Sequence, residues 1–139
     1  MKVIHILLLE DDSLDIIDIQ RTLDKMNILY RLTIAKNGVE ALAILERTSN
    51  TYGERLPDVV LIDVNMPKMN GLEFLSVLRN NEEWKHLKCF IITTSDEAVD
   101  RTAARQLGVS GYIVKPFKIN NPGSIDSFNL MIDLMNMKD

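Results

Sequence analysis

A chain of 139 residues with 46% hydrophobic residues fits one globular domain. Sixteen basic against twenty acidic residues give a net charge of −4, which argues against nucleic acid as a partner, because such proteins usually carry a basic face. A single cysteine, Cys89, excludes an intramolecular disulfide, and no apolar stretch reaches the length of a membrane span.

The apolar start of the chain carries one lysine, then runs into acids with no small-residue cleavage site, unlike a signal peptide. A soluble cytoplasmic protein with a buried, inert Cys89 thiol is expected. The first strand is expected over about Val3–Leu9, ending in Glu10-Asp11-Asp12. Ser13 can cap a helix to about Met26, with Ile16, Ile19, Leu23 and Met26 at helical spacing. Tyr30–Ala35 alternates in polarity and reads as a second strand. Asn37-Gly38 reads as a turn, and Ala41, Leu42 and Leu45 mark one face of the next helix. Thr48–Pro57 reads as a polar loop with Gly53 and Pro57 as breakers.

The runs Val59–Ile62, Phe90–Ile92 and Tyr112–Val114 are short and apolar without alternation, as central parallel strands are. Helices are expected at about Gly71–Asn80, Glu97–Leu107 and Ser124–Met137. Five strands and five helices in βα order predict an α/β fold, a doubly wound five-stranded parallel sheet covered on both faces. No repeat or second domain is evident, so residues 1–139 read as one domain without an output domain.

In such sheets ligands bind outside the carboxyl ends of the strands. Four polar signals sit there: Glu10-Asp11-Asp12, Asp63, Thr93-Thr94-Ser95 and Lys115-Pro116. Asp11 and Asp63 could supply direct carboxylates to Mg²⁺, Glu10 could hold a coordinated water, and Asn65 could offer its backbone carbonyl. The acidic triplet alone is more often a solvated helix start, where acids favour the helix dipole. An acid directly behind the buried run Val59–Ile62 tips the balance, because an unpaired buried charge is expensive. Asp63 could attack phosphorus as a nucleophile, with Lys115 and the Thr93 hydroxyl at the phosphoryl oxygens. Lys115-Pro116 is a candidate cis peptide that would aim the lysine, although most such bonds are trans.

These motifs resemble the receiver domain of two-component response regulators. The resemblance spans about Val3–Met137 and rests on Glu10-Asp11-Asp12, the run Asp63–Gly71, Thr93-Thr94-Ser95 and Tyr112–Phe117, in order and spacing. It implies a flavodoxin-like (βα)5 fold, Mg²⁺ dependence, and phosphorylation by a sensor histidine kinase or phosphotransfer protein. Asp63 would be the phosphoacceptor. Glu10, Asp11, Asp63 and Asn65 would form the metal side, with Thr93 and Lys115 on the phosphoryl group. Thr93 and Tyr112 would be the switch pair. The Asn65–Gly71 run, Thr93–Asp96 and the long loop Thr48–Pro57 are similar to small single-domain receivers associated with phytochrome-type kinases. Asn120-Asn121-Pro122-Gly123 delays the last helix relative to the family pattern, and Ser95 stands where dephosphorylation is tuned.

The last helix carries two apolar stripes, Ile125, Phe128, Ile132 and Met135 beside Leu130, Leu134 and Met137. One stripe docks a helix on a sheet, and a second suggests an association surface. A homodimer or downstream protein is therefore expected at the face of the fourth helix, fifth strand and fifth helix. Two other readings compete: a phosphorylation-independent binding module of the same fold, and a flavodoxin-like cofactor or phosphatase domain. The intact Asp11, Asp63, Thr93 and Lys115 oppose the first. The lack of a glycine-rich cofactor loop and of a second acid near Asp63 opposes the second. His5, His86, Trp84 and Tyr52 read as strand, surface and packing residues.

Overall fold

The computed structural model describes residues 3–26, 28–64, 66–94, 101–115 and 136. Nine elements alternate along it: β1 (Ile4–Leu9), α1 (Ser13–Lys25), β2 (Tyr30–Ala35), α2 (Gly38–Ser49), β3 (Val59–Asp63), α3 (Gly71–Arg79), β4 (Lys88–Thr93), α4 (Arg101–Gln106) and β5 (Gly111–Val114). The five strands form one parallel sheet in the order β2-β1-β3-β4-β5. The predicted doubly wound architecture is thus present. The last helix expected over Ser124–Met137 lies outside the described residues, as do Asn65, Ser95 and Pro116.

The absence of alternation in the central strands has a direct cause. Ile4, Ile6 and Leu8 of β1, with Val59 and Leu61 of β3 and Phe90 and Ile92 of β4, pack beneath Ile19 and Leu23 of α1. The intervening Leu7, Leu9, Val60, Ile62 and Cys89 face Ala41 and Leu45 of α2 and Phe74, Leu75 and Leu78 of α3. Both faces of these strands are dry, so both parities must be apolar. Each such side chain contributes about 1.5–3 kcal/mol by leaving water. Cys89 is fully buried, and burial pushes its thiol pKa up to about 11, which makes it the inert thiol expected.

Local chemistry sets the helix starts, and in places departs from expectation. Asp12, not Ser13, caps α1: its carboxylate accepts from the backbone N–H groups of Leu14 and Asp15 at 2.9 and 3.2 Å. Asn37 is the N-cap of α2 and not part of a free turn. That helix runs to Ser49, into the predicted loop, because Thr48 is buried and its hydroxyl donates to the Ile44 carbonyl. Asn70 and Glu73 form a reciprocal capping box at α3. Trp84 is buried in the core and its indole donates to Ser49 Oγ at 3.0 Å, whereas Tyr52, expected to pack, is fully exposed. Among the described residues no helix is long and apolar enough to cross a membrane.

Candidate phosphoryl and metal site

The strand order reverses direction between β1 and β3, so their carboxyl ends flank a crevice. Register then decides which residues meet there. Leu9 pairs with Ile62, which sets the next residues, Glu10 and Asp63, side by side. Asp63 pairs with Ile92, which puts Thr93 one step further along the neighbouring strand. Thr93 pairs with Val114, and the Lys115 N–H donates to the Thr93 carbonyl at 2.8 Å, holding Lys115 at the same edge. Glu10, Asp63 and Thr93 are buried and Asp11 is exposed.

The side chains converge as the strand ends do. One carboxylate oxygen each from Glu10, Asp11 and Asp63 lies within 4.8 Å of the others. The Lys115 ammonium donates to Asp63 Oδ2 at 3.0 Å and to Asp15 Oδ2 at 2.8 Å. It also stands 3.1 Å from Glu10 Oε2, an ion pair without hydrogen-bond alignment, so that buried oxygen has a charged neighbour but no hydrogen bond. Burial, and then the adjacent Asp63 carboxylate, raise the Glu10 pKa well above the carboxylate range. Burial alone would lower the Lys115 pKa. The hydrogen bonds to Asp15 and Asp63, with the charges of Asp63 and Glu10, outweigh it and hold the ammonium above its ordinary value.

This donor set fits a hard divalent cation. Three carboxylates offer oxygen only, one of them carries a buried oxygen without a hydrogen bond, and Asp11 opens to solvent where coordinated waters would stand. The backbone between β3 and α3 is shaped to the same end. Lys68 adopts φ +66°, and the Gly71 N–H donates to the Val64 carbonyl at 3.3 Å. A Cβ on Gly71 would stand 2.9 Å from Ile62 Cγ2 and 3.0 Å from the Asp63 carbonyl, so only glycine lets α3 start this close to β3.

The predicted switch pair is on the neighbouring strands. The Thr93 hydroxyl donates to the Thr94 carbonyl at 3.1 Å. Tyr112 on β5 is half-buried, with the Arg101 guanidinium 4.2 Å above its ring and its hydroxyl 3.4 Å from the Arg101 carbonyl. One residue of the cluster escaped the sequence reading: Asp15, one hundred positions before the lysine it binds. A first-turn acid on α1 was its only signal, and that pattern ordinarily means no more than helix stabilisation.

The profile of the response regulator receiver domain matches residues 6–122, most of the chain. The chain belongs to the response regulator receiver family. Receivers of this family bind Mg²⁺ at an acidic pocket, and here Glu10, Asp11 and Asp63 make such a pocket. The receiver is 32% identical over 110 residues to the response regulator Rcp1 of Synechocystis sp., covering 79% of this chain and 75% of that protein. It also superimposes on a two-component response regulator from Legionella pneumophila with a TM-score of 0.77 at 33% identity, over 96% of this chain and 98% of the other. The bacteriophytochrome response regulator AtBRR gives a TM-score of 0.77 at 30% identity, over 97% and 94% of the two chains.

Proposed function

We propose that this receiver is a single-domain phosphoacceptor switch. It takes a phosphoryl group onto Asp63 from a sensor histidine kinase or phosphotransfer protein and signals through phosphorylation-dependent protein–protein contacts. The observation that carries the reading is Asp63 itself: a buried carboxylate at the end of a central strand, 3.0 Å from Lys115 and within 4.8 Å of two further acids.

An Asp63 carboxylate oxygen attacks phosphorus in line with the leaving group. The P–N bond of a phosphohistidine breaks as the new O–P bond forms, and the electron pair leaves with the imidazole. Such transfers ask for positioning and charge stabilisation more than for covalent help. Glu10, Asp11 and Asp63, with the Asn65 carbonyl, would hold Mg²⁺, which when bound neutralises phosphoryl oxygens facing the acids. Lys115, hydrogen-bonded to Asp63 and Asp15, adds a second positive charge there. The Thr93 hydroxyl, released from the Thr94 carbonyl, would donate to a phosphoryl oxygen, and Tyr112 would follow it inward.

That coupling would bias the face of α4 and β5, continued by the predicted last helix, toward a second copy or a downstream protein. The likeness to Rcp1 and AtBRR makes a phytochrome-type kinase the first donor to test. Incubation with phosphoramidate and Mg²⁺, read by intact mass, should add one phosphoryl group to the wild type and none to Asp63→Asn. A wild type that stays unmodified, while still binding partners, would instead favour a phosphorylation-independent binding module. Equal labelling of Asp63→Asn would overturn the assignment of Asp63.

A further inference from the structure

We infer that Asp15 is a positioning residue for phosphoryl transfer: it anchors the Lys115 ammonium while the other two carboxylates on that lysine are engaged by the cation and the phosphoryl group. The inference rests on the phosphoacceptor reading above.

The geometry is specific. An ammonium has three N–H donors. Among the described residues Lys115 meets three carboxylates, Asp15 at 2.8 Å, Asp63 at 3.0 Å and Glu10 at 3.1 Å. Asp15 makes the shortest contact and one of the two aligned hydrogen bonds. It is also the one member of the three outside the trio of acids drawn together at the crevice.

These partners have different fates in the proposed cycle. Asp63 spends an oxygen in the new bond to phosphorus. Glu10 is drawn toward the cation. Asp15 takes part in neither event, and it projects from the first turn of α1, whose N-terminus is fixed by the Asp12 cap. It can therefore keep its hydrogen bond while Lys115 exchanges Asp63 Oδ2 for a phosphoryl oxygen. A free lysine side chain has rotamer entropy to lose on being held. Asp15 pre-orders that side chain before the phosphodonor arrives, the kind of advantage that appears in the rate of the bound complex.

Lys115 and Asp15 are partly exposed, with 15% and 28% of their side-chain surface open, whereas Glu10 and Asp63 are almost fully enclosed. The Asp15–Lys115 pair thus links α1 to the end of β5 and is more open to solvent than the nucleophile.

A double-mutant cycle separates this role from a merely structural one. The full chain and its variants are phosphorylated with phosphoramidate and Mg²⁺, and intact mass gives the rate at saturating donor and the half-saturating donor concentration. Asp15→Ala should lower the saturated rate by about tenfold and leave half-saturation nearly unchanged. In a Lys115→Ala background the same change should alter the rate by less than about twofold, because the residue through which it acts is gone. Asp15→Asn, which keeps an acceptor and the helix start, should fall between wild type and Asp15→Ala, and circular dichroism melts check that each variant folds. A wild-type rate in both Asp15 variants, or an equal loss with and without Lys115, overturns the inference and leaves Asp63 as phosphoacceptor. A wild type that takes up no phosphoryl group overturns the underlying reading as well.

Discussion

Gly71 shows how closely a single position ties fold to chemistry. Its missing Cβ is what lets α3 begin against the end of β3, and two of the three atoms that would block a methyl group are backbone: the Asp63 carbonyl and Val64 Cα, each 3.0 Å away, beside Ile62 Cγ2 at 2.9 Å. Backbone cannot step aside as a flexible side chain can. Gly71→Ala is therefore expected to cost about 1–3 kcal/mol in urea unfolding through overpacking. The displacement falls on Asp63 itself, so the same variant should be phosphorylated more slowly than its residual stability explains. A variant destabilised yet phosphorylated at the wild-type rate would show that the strain escapes elsewhere. Residue by residue, the site was largely legible in the sequence. Asp63 stood out because a charge directly behind a doubly buried strand has few reasons to be there, whereas Thr93 and Lys115 gained weight only from standing with it at successive strand ends. Asp15 did not, because its partner is remote in sequence and a first-turn acid already has a local explanation.

At the scale of elements, one joint ties loops beside the sheet together and another links two of its strands, and both can be tested. Arg79, at the end of α3, donates to the carbonyls of Leu107 (2.6 Å), Leu87 (2.7 Å), Lys85 (2.9 Å) and Gly108 (3.2 Å). One planar guanidinium thereby ties the α3–β4 loop to the turn between α4 and β5. Arg79→Ala should cost about 1–3 kcal/mol, the order expected for hydrogen bonds from a charged group that is only half-buried. Arg79→Lys should recover little of it, since a point charge lacks the fork geometry. Full recovery by lysine would mean that charge matters there and geometry does not. The second joint is between β1 and β2. His5 Nδ1 faces an Arg31 guanidinium nitrogen at 3.2 Å and His5 Nε2 faces Thr33 Oγ1 at 2.9 Å, the pattern of a neutral ring accepting from arginine and donating to threonine. Burial first, then the Arg31 charge, lower the His5 pKa below its ordinary value of 6.5. The unfolded chain then binds the proton more readily than the native one, so stability is full above pH 6.5 and falls as the pH drops toward the lowered folded value. One proton limits the slope to about 1.4 kcal/mol per pH unit. Urea unfolding of wild type and His5→Gln should diverge in pH dependence below neutrality, and parallel curves would exclude His5 as the cause. Neither joint was legible in advance. Arginine-to-carbonyl bonds leave no periodicity, whereas the strands did, because burial of both faces forces unbroken apolar runs. The overrun of α2 to Ser49 was hidden for a related reason: Thr48 and Ser49 read as loop residues until packing and a hydroxyl-to-carbonyl bond recruit Thr48 to the helix.

For the molecule as a whole, the sheet gathers like charges that an isolated chain would keep apart. Glu10 and Asp63 are buried side by side and Asp11 adds a third acid at the rim. The dry layers on both faces of β1 and β3 supply the stability that tolerates this. Such a cluster is either a leftover of folding or a site kept ready for a cation, and the two differ in a measurable way. A cation that binds only the native state stabilises it by mass action, about 2.7 kcal/mol at a hundredfold excess over its dissociation constant. Mg²⁺ should therefore raise the unfolding free energy of the wild type by an amount that grows with the logarithm of its concentration. Asp11 offers the decisive control, because it is exposed and its charge does little for packing. Asp11→Asn should leave metal-free stability close to that of the wild type and lose most of the increment with Mg²⁺. If the variant gains as much from Mg²⁺ as the wild type, the cation is held elsewhere and Asp11 is only a loop acid ahead of α1. If it loses the increment, the acids at the ends of β1 and β3 are held together for the cation, and their mutual repulsion is the free energy that its binding recovers.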